Sequence, residues 1–257
     1  MYEELLKKYT RDGYIILKKA IHKKYCKQLL KKTLIPILHN KNIYLNDIPN
    51  KNIKKRKPGM LIYGKNGDHI ISRDNKHFRF KPLFENSKLN YIINKIHNRN
   101  INVKKWKYVY LGEEGLGWIH LRFPFYKYED KNNDNVKCQK NSFHLDGINS
   151  NNTINYKQSI VLLPFITEVK KNEGGTAIIP GSHKLINEYI LRYKYNSNRN
   201  INKVINNIVK KYNKNIIDAI GEQGDILIMH PHLIHSPSLA DIESKTRITF
   251  NISTNCI

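Results

Sequence analysis

Apolar and polar positions recur with two different periods along this chain. From Glu3 to Tyr9 the spacing is helical, and Asp12-Gly13 stops it. Tyr14-Ile15-Ile16-Leu17 is an apolar run of strand length. Ile21 to Leu38 returns to helical spacing, with lysines on the other face. Residues 40 to 80 are dense in Asn, Lys, Gly and Asp, and Gly64-Lys65-Asn66-Gly67-Asp68 predicts turns or a mobile loop. Asn86 to His97 predicts a further helix.

From about residue 104 the pattern becomes strand-like. Trp106 to Leu111 and Trp118 to Phe125 are rich in aromatic and β-branched residues. Tyr128 to Lys140 is polar and predicts a loop. Phe143 to Asp146, Ser159 to Ile166, Thr176 to Ile179, Gly224 to Met229 and Arg247 to Ile252 predict strands. Residues 184 to 212 predict helix, interrupted at Asn196 to Asn200. No internal repeat is present. The expected architecture is mainly β with flanking α-helices. A helical part spans residues 1–100, and a core spans about 104–257. That order fits a double-stranded β-helix, a cupin-like jelly roll, in a single domain.

Composition narrows the class. The 257 residues are 40% hydrophobic, enough for one real core. No apolar run approaches the roughly 20 residues that span a bilayer. The charged start, Met1 to Lys8, leads into no apolar stretch, so no signal peptide is expected and a cytoplasmic location follows. Cys26, Cys138 and Cys256 form no C-x-x-C pair, which argues against a disulfide scaffold or zinc ribbon. The net charge of +24 would attract anions. Yet the lysines are spread among Asn and Ile residues, as a composition bias would spread them. A functional field would have to show as a one-sided patch. Despite 16 Tyr, no dense basic-aromatic motif stands out. Nucleic acid is therefore not the favoured partner, although the charge admits it. Nothing in the sequence sets the oligomeric state.

Three features carry chemistry. In Phe143-His144-Leu145-Asp146-Gly147, strand alternation would aim His144 and Asp146 at one point. That is two-thirds of a 2-His-1-carboxylate facial triad. A turn and strand at Gly224 to Met229 lead into three histidines, His230, His232 and His235, each a candidate third ligand. In the last strand, Arg247, Thr249 and Asn251 share a polar face, and Ile248, Phe250 and Ile252 an apolar one. Arginine suits a planar carboxylate, and Thr249 stands beside it. His120 and Arg122 share a face with Trp118 and are candidates for lining the same pocket. His183, in a Pro-Gly-Ser-His turn, suits a helix start rather than catalysis.

With these features in view, the chain resembles the phytanoyl-CoA dioxygenase family of Fe(II)/2-oxoglutarate oxygenases over nearly its whole length. Tyr9 to Leu17 is similar to the family's opening strand, and Phe143 to Gly147 to its iron motif. Asn172 to Lys184, with Ile179-Pro180-Gly181-Ser182-His183, matches its middle segment. Gly224 to Leu227, His235 and Arg247 match its closing one. The turn after His235 lacks the usual Asn, and Glu173 stands where Asn is more common. The resemblance implies iron held by His144, Asp146 and His235, and 2-oxoglutarate gripped at its far carboxylate by Arg247 with Thr249. It implies O2 as second co-substrate and release of succinate and CO2. In halogenating relatives a small residue replaces the carboxylate, so Asp146 implies hydroxylation of a C–H. The substrate expected is a small organic molecule, and the positive charge favours an anionic one.

Overall fold

The computed structural model describes residues 2–39, 45, 86–97, 118–124, 127, 129–130, 135–138, 142–146, 158–193 and 201–255. Helix α1 (Tyr2–Asp12) ends where Gly13, at φ 80°, turns the chain back and donates its N–H to Tyr9 O at 2.8 Å. A side chain at Gly13 would collide with the His183 ring, so both backbone angle and space require glycine. Strand β1 (Tyr14–Leu17) follows. Helix α2 (Lys23–Leu29), a π-helical turn (Leu30–Leu34) and α3 (Ile35–His39) form one continuous helical run. Pro36 explains the wide turn: its ring would strike the carbonyl four residues back, and it offers no N–H. Helix α4 (Ser87–His97) starts at Asn86, whose side-chain oxygen accepts the Leu89 N–H.

The strands are β2 (Trp118–Arg122), β3 (Gln158–Pro164), β4 (Thr176–Ile178), β5 (Ile217–Ala219), β6 (Ile226–Met229), β7 (His235–Pro237) and β8 (Arg247–Asn255). Helices α5 (Ser182–Tyr193) and α6 (Ile201–Lys211) lie between β4 and β5 in sequence. All strand pairings among the described residues are antiparallel. One sheet has the order β1-β6-β3-β8-β2, the other β5-β4-β7.

The five-stranded sheet is covered on both faces, and its apolar runs are continuous for that reason. Ile15, Leu17, Ile160, Leu162, Ile226 and Ile228 pack under the N-terminal helices. Their neighbours Tyr14, Val161, Leu163, Leu227 and Met229 pack with Ile178 and Ala219 of the second sheet. A third cluster joins α5 and α6 to Leu145, Ile179 and Ile234. No helix among the described residues is long and apolar enough to cross a membrane.

Several expectations need adjusting. Phe143 to Asp146 is not a strand: His144 makes a single bridge to His235, and Asp146 stands in a turn. The segment is too short and too polar at its flanks to sustain a ladder. Strands β5 and β7 carried no visible pattern, because each is short and interrupted by polar residues. Apart from Leu45, the expected loop at 40–80 lies outside the described residues, as do the strand at Trp106 to Leu111, the helix break at Asn196 to Asn200 and Cys256.

Candidate metal centre

His144 and His235 meet as an antiparallel pair that exchanges both backbone hydrogen bonds, His144 N–H to His235 O at 2.9 Å and the reverse at 3.2 Å. Their rings lie 4.4 Å apart between centroids. The Asp146 turn brings its carboxylate onto the same point: Oδ1 is 3.7 Å from His144 Nε2, and Oδ2 is 3.5 Å from His235 Nε2. The three ligand atoms lie within 4.8 Å of one another, and these residues form the one such group of three found among the described residues. His230 and His232 turn elsewhere. His232 Nδ1 contacts Asn187 Oδ1 at 2.6 Å, and the His230 ring packs on His183 and His232.

Backbone carbonyls fix both ligand histidines. His144 Nδ1 lies 2.8 Å from Ser142 O, and His235 Nδ1 lies 2.9 Å from Leu233 O. A carbonyl only accepts, so each Nδ1 carries a proton, and Nε2 is the atom each ring turns toward the cluster. Burial would lower the His235 pKa, but the Asp146 carboxylate outweighs it and holds the ring above its ordinary value. Two nitrogens and one carboxylate oxygen are the donor set of a facial triad, so these residues fit a divalent iron.

A second group of candidate residues lies on β2 and β8. Ile248, Phe250 and Ile252 face the helices, so Arg247 and Thr249 face the second sheet. Arg247 is 2% exposed and Thr249 0%. Among the described residues, Arg247 Nε and Nη1 and Thr249 Oγ1 are buried without a hydrogen-bond partner. Donors left so cost free energy, and a carboxylate of a bound molecule would satisfy them. Burial and then the Arg122 guanidinium hold the Arg247 pKa below its ordinary value, with Asp218 opposing. Arg122, also buried, stands directly opposite Arg247 in the β2–β8 register. His120 stands opposite Thr249, with its side chain outside the described residues. Gly174, at φ 74°, lets the backbone pass over Arg122: a Cβ there would lie 3.2 Å from Arg122 Cβ.

Sequence reasoning missed the supports. Buried Ser182 accepts the Ile234 N–H at 2.9 Å, which pins the chain beside His235. Gly181 N–H donates to Asp12 O, and His183 Nε2 reaches Thr10 O at 3.3 Å. The Pro-Gly-Ser-His turn thus starts α5, caps the end of α1 and holds the third ligand's segment. The motif itself was the signal; only its tertiary duties were hidden. The Ser142 and Ser236 hydroxyls, 2.5 Å apart, tie the two ligand segments together. Asp218 stands behind Arg247 and takes the Ser238 hydroxyl at 3.0 Å; burial pushes its pKa up to about 6.

Comparison with known proteins agrees with this geometry. No curated protein sequence matches the chain. Among solved structures, it is similar to AviO1 from Streptomyces viridochromogenes Tue57, with TM-score 0.58 and 11% identity over 100% of this chain and 95% of that one. It is also similar to the epimerase SnoN in complex with Fe3+, alpha ketoglutarate and nogalamycin RO, with TM-score 0.52 and 11% identity over 99% and 83%. The non-heme alpha ketoglutarate dependent carbocyclase SnoK gives TM-score 0.50 and 10% identity over 98% and 83%. At such identities the likeness establishes a shared fold. The sequence itself matches the family described as Phytanoyl-CoA dioxygenase (PhyH) over residues 9–238. The chain therefore belongs to the phytanoyl-CoA dioxygenase family, enzymes that use iron and 2-oxoglutarate.

Proposed function

We propose that this protein hydroxylates an unactivated C–H of a small, anionic organic substrate, consuming 2-oxoglutarate and O2 and releasing succinate and CO2. Two observations carry the reading: a His-Asp-His cluster that could hold a metal, and a buried arginine, Arg247, with unsatisfied donors. Arg122 acts electrostatically on both His144 and Arg247 and so supports putting them in one site. In this reading the two packed sheets are the halves of a jelly roll, and residues 1–257 act as a single catalytic domain.

His144, Asp146 and His235 would hold Fe(II). Bound there, the metal supplies oxidising chemistry that couples decarboxylation of 2-oxoglutarate to attack on the substrate. The remaining work belongs to the chain. Ser142 O and Leu233 O orient the two imidazoles. Arg247, with Thr249 beside it, grips the far carboxylate of 2-oxoglutarate, and burial of both excludes competing water. Arg122 joins the same pocket from β2, opposite Arg247, and His120 holds the register position opposite Thr249.

The test is direct. Asp146→Ala and His235→Ala should each abolish succinate formation and weaken Mn(II) binding in a titration. Normal turnover by both variants would sink the assignment. Substrate follows from a screen of 2-oxoglutarate consumption with CoA esters, nucleotides, sugars and amino acids. Products should be read as well as succinate, because two similar structures are a carbocyclase and an epimerase.

A further inference from the structure

The charge that is spread along the sequence becomes one-sided at one place in the fold. Residues 18–32 hold seven lysines and no Asp or Glu. Cys26, Leu29 and Leu34 point from the α2 helical run into the core, which forces the opposite side outward. Lys23, Lys24, Lys27, Lys31 and Lys32 are all exposed. Helical spacing stacks Lys23, Lys27 and Lys31 in one row and Lys24, Gln28 and Lys32 beside it. The lysine stems, with His22 and Gln28, wall a shallow groove of about 510 Å³. Lys23 pairs with Glu222 at 2.5 Å. Among the described residues, Lys24, Lys27, Lys31 and Lys32 have no carboxylate within ion-pair reach. Like charges on successive turns repel, so an anion laid along the rows would relieve the helix.

We propose that this ridge docks the phosphate backbone of a nucleic acid, independently of its sequence. From Lys23 to Lys32 the helix axis advances about 14 Å, close to the rise of four nucleotides at about 3.4 Å each. Lysine acts on phosphate as a point charge and reads no base. A membrane surface fits less well. Helices that lie on lipid bury an apolar face in it, and here that face is already committed to the core. The ridge shares no residue with the metal centre. It would hold the enzyme on a nucleic acid without making nucleic acid the substrate, and it stands or falls apart from the catalytic reading.

The experiment is fluorescence anisotropy with a short duplex DNA of random sequence, at several NaCl concentrations. Four phosphate contacts, one from each of Lys24, Lys27, Lys31 and Lys32, should give a slope of log K against log[salt] of about −3 to −4. The exposed quadruple variant K24Q/K27Q/K31Q/K32Q should lose at least about tenfold in affinity and most of that slope. A matched variant, K184Q/K203Q/K210Q/K214Q, removes the same charge from exposed sites elsewhere and should bind like the native chain. Equal losses in both variants would show that only the overall +24 matters, and the ridge would be refuted. Absence of duplex binding, or ridge-dependent binding to phosphatidylserine vesicles instead, would overturn it as well. Succinate formation should be unchanged in the ridge variant.

Discussion

Replacing Arg247 with methionine should make the ligand-free protein more stable while crippling co-substrate binding. The guanidinium is 2% exposed, and its Nε and Nη1 donate to nothing among the described residues. Each buried donor left unsatisfied costs about 1–3 kcal/mol. Methionine keeps most of the stem volume and removes both donors and the buried charge. Against that gain, Asp218 loses a favourable neighbour, since Arg247 lowers its pKa. The net expectation is about 1–3 kcal/mol of added stability, or roughly 2–4 °C in Tm per kcal/mol for a chain of this size. Binding moves the other way. Truncating one partner of a buried charge pair costs about 2–5 kcal/mol, so the 2-oxoglutarate requirement should rise about 30- to 5,000-fold. Calorimetric melting of the metal-free protein and 2-oxoglutarate titrations of the Mn(II)-loaded protein give the two numbers. A variant that melts lower and binds 2-oxoglutarate normally would refute the reasoning: Arg247 would then be a structural residue already satisfied by its surroundings.

The other expectations concern the scaffold. Asp225 is 1% exposed and accepts the Lys19 and Glu222 N–H groups at 2.8 and 2.9 Å, as well as Lys18 Nζ. Asp225→Ala should cost about 2–5 kcal/mol in urea unfolding through the two stranded backbone donors, and a loss below about 1 kcal/mol would contradict that. Burial, then neighbouring histidines, lowers the His230 pKa to about 3 and the His232 pKa to about 4. Both folded-state values lie below the unfolded value of about 6.5, so the unfolded chain takes up these protons first. Stability should be full above pH 6.5 and drain as pH falls toward 4. His230→Gln with His232→Gln should flatten that fall in urea midpoints measured across the range, whereas an unchanged slope would assign the acid lability to other groups.

Sequence patterning located α1, β1, α4, β3, β4, β6 and β8 to within a few residues, because their side chains meet simple surroundings. An apolar run such as Ile226–Met229 is buried on both faces, and the alternation in β8 separates a helix-packed face from a pocket face. The three-residue strands β5 and β7 left no trace, since polar residues interrupt Ile217-Asp218-Ala219 and His235-Ser236-Pro237, whereas the equally short β4 is buried throughout and continues into apolar Ile179. The β7 case matters most, because His235 sits on it.

The sequence alone named His144, Asp146, Arg247 and a set of three histidines, since metal and carboxylate chemistry restricts residue types and motif spacing preserves them. It also carried the expectation of strand geometry around Asp146, where the chain instead makes one bridge and a turn. The family resemblance had already pointed to His235; the tertiary structure brings that histidine, rather than His230 or His232, beside His144 through a backbone pairing across 91 positions. It alone set the imidazole tautomers, because Ser142 O and Leu233 O are backbone atoms with no side-chain signature. The lysine face of the run from Ile21 to Leu38 was legible in the helical spacing, and the fold settled its exposure by packing Cys26, Leu29 and Leu34 inward.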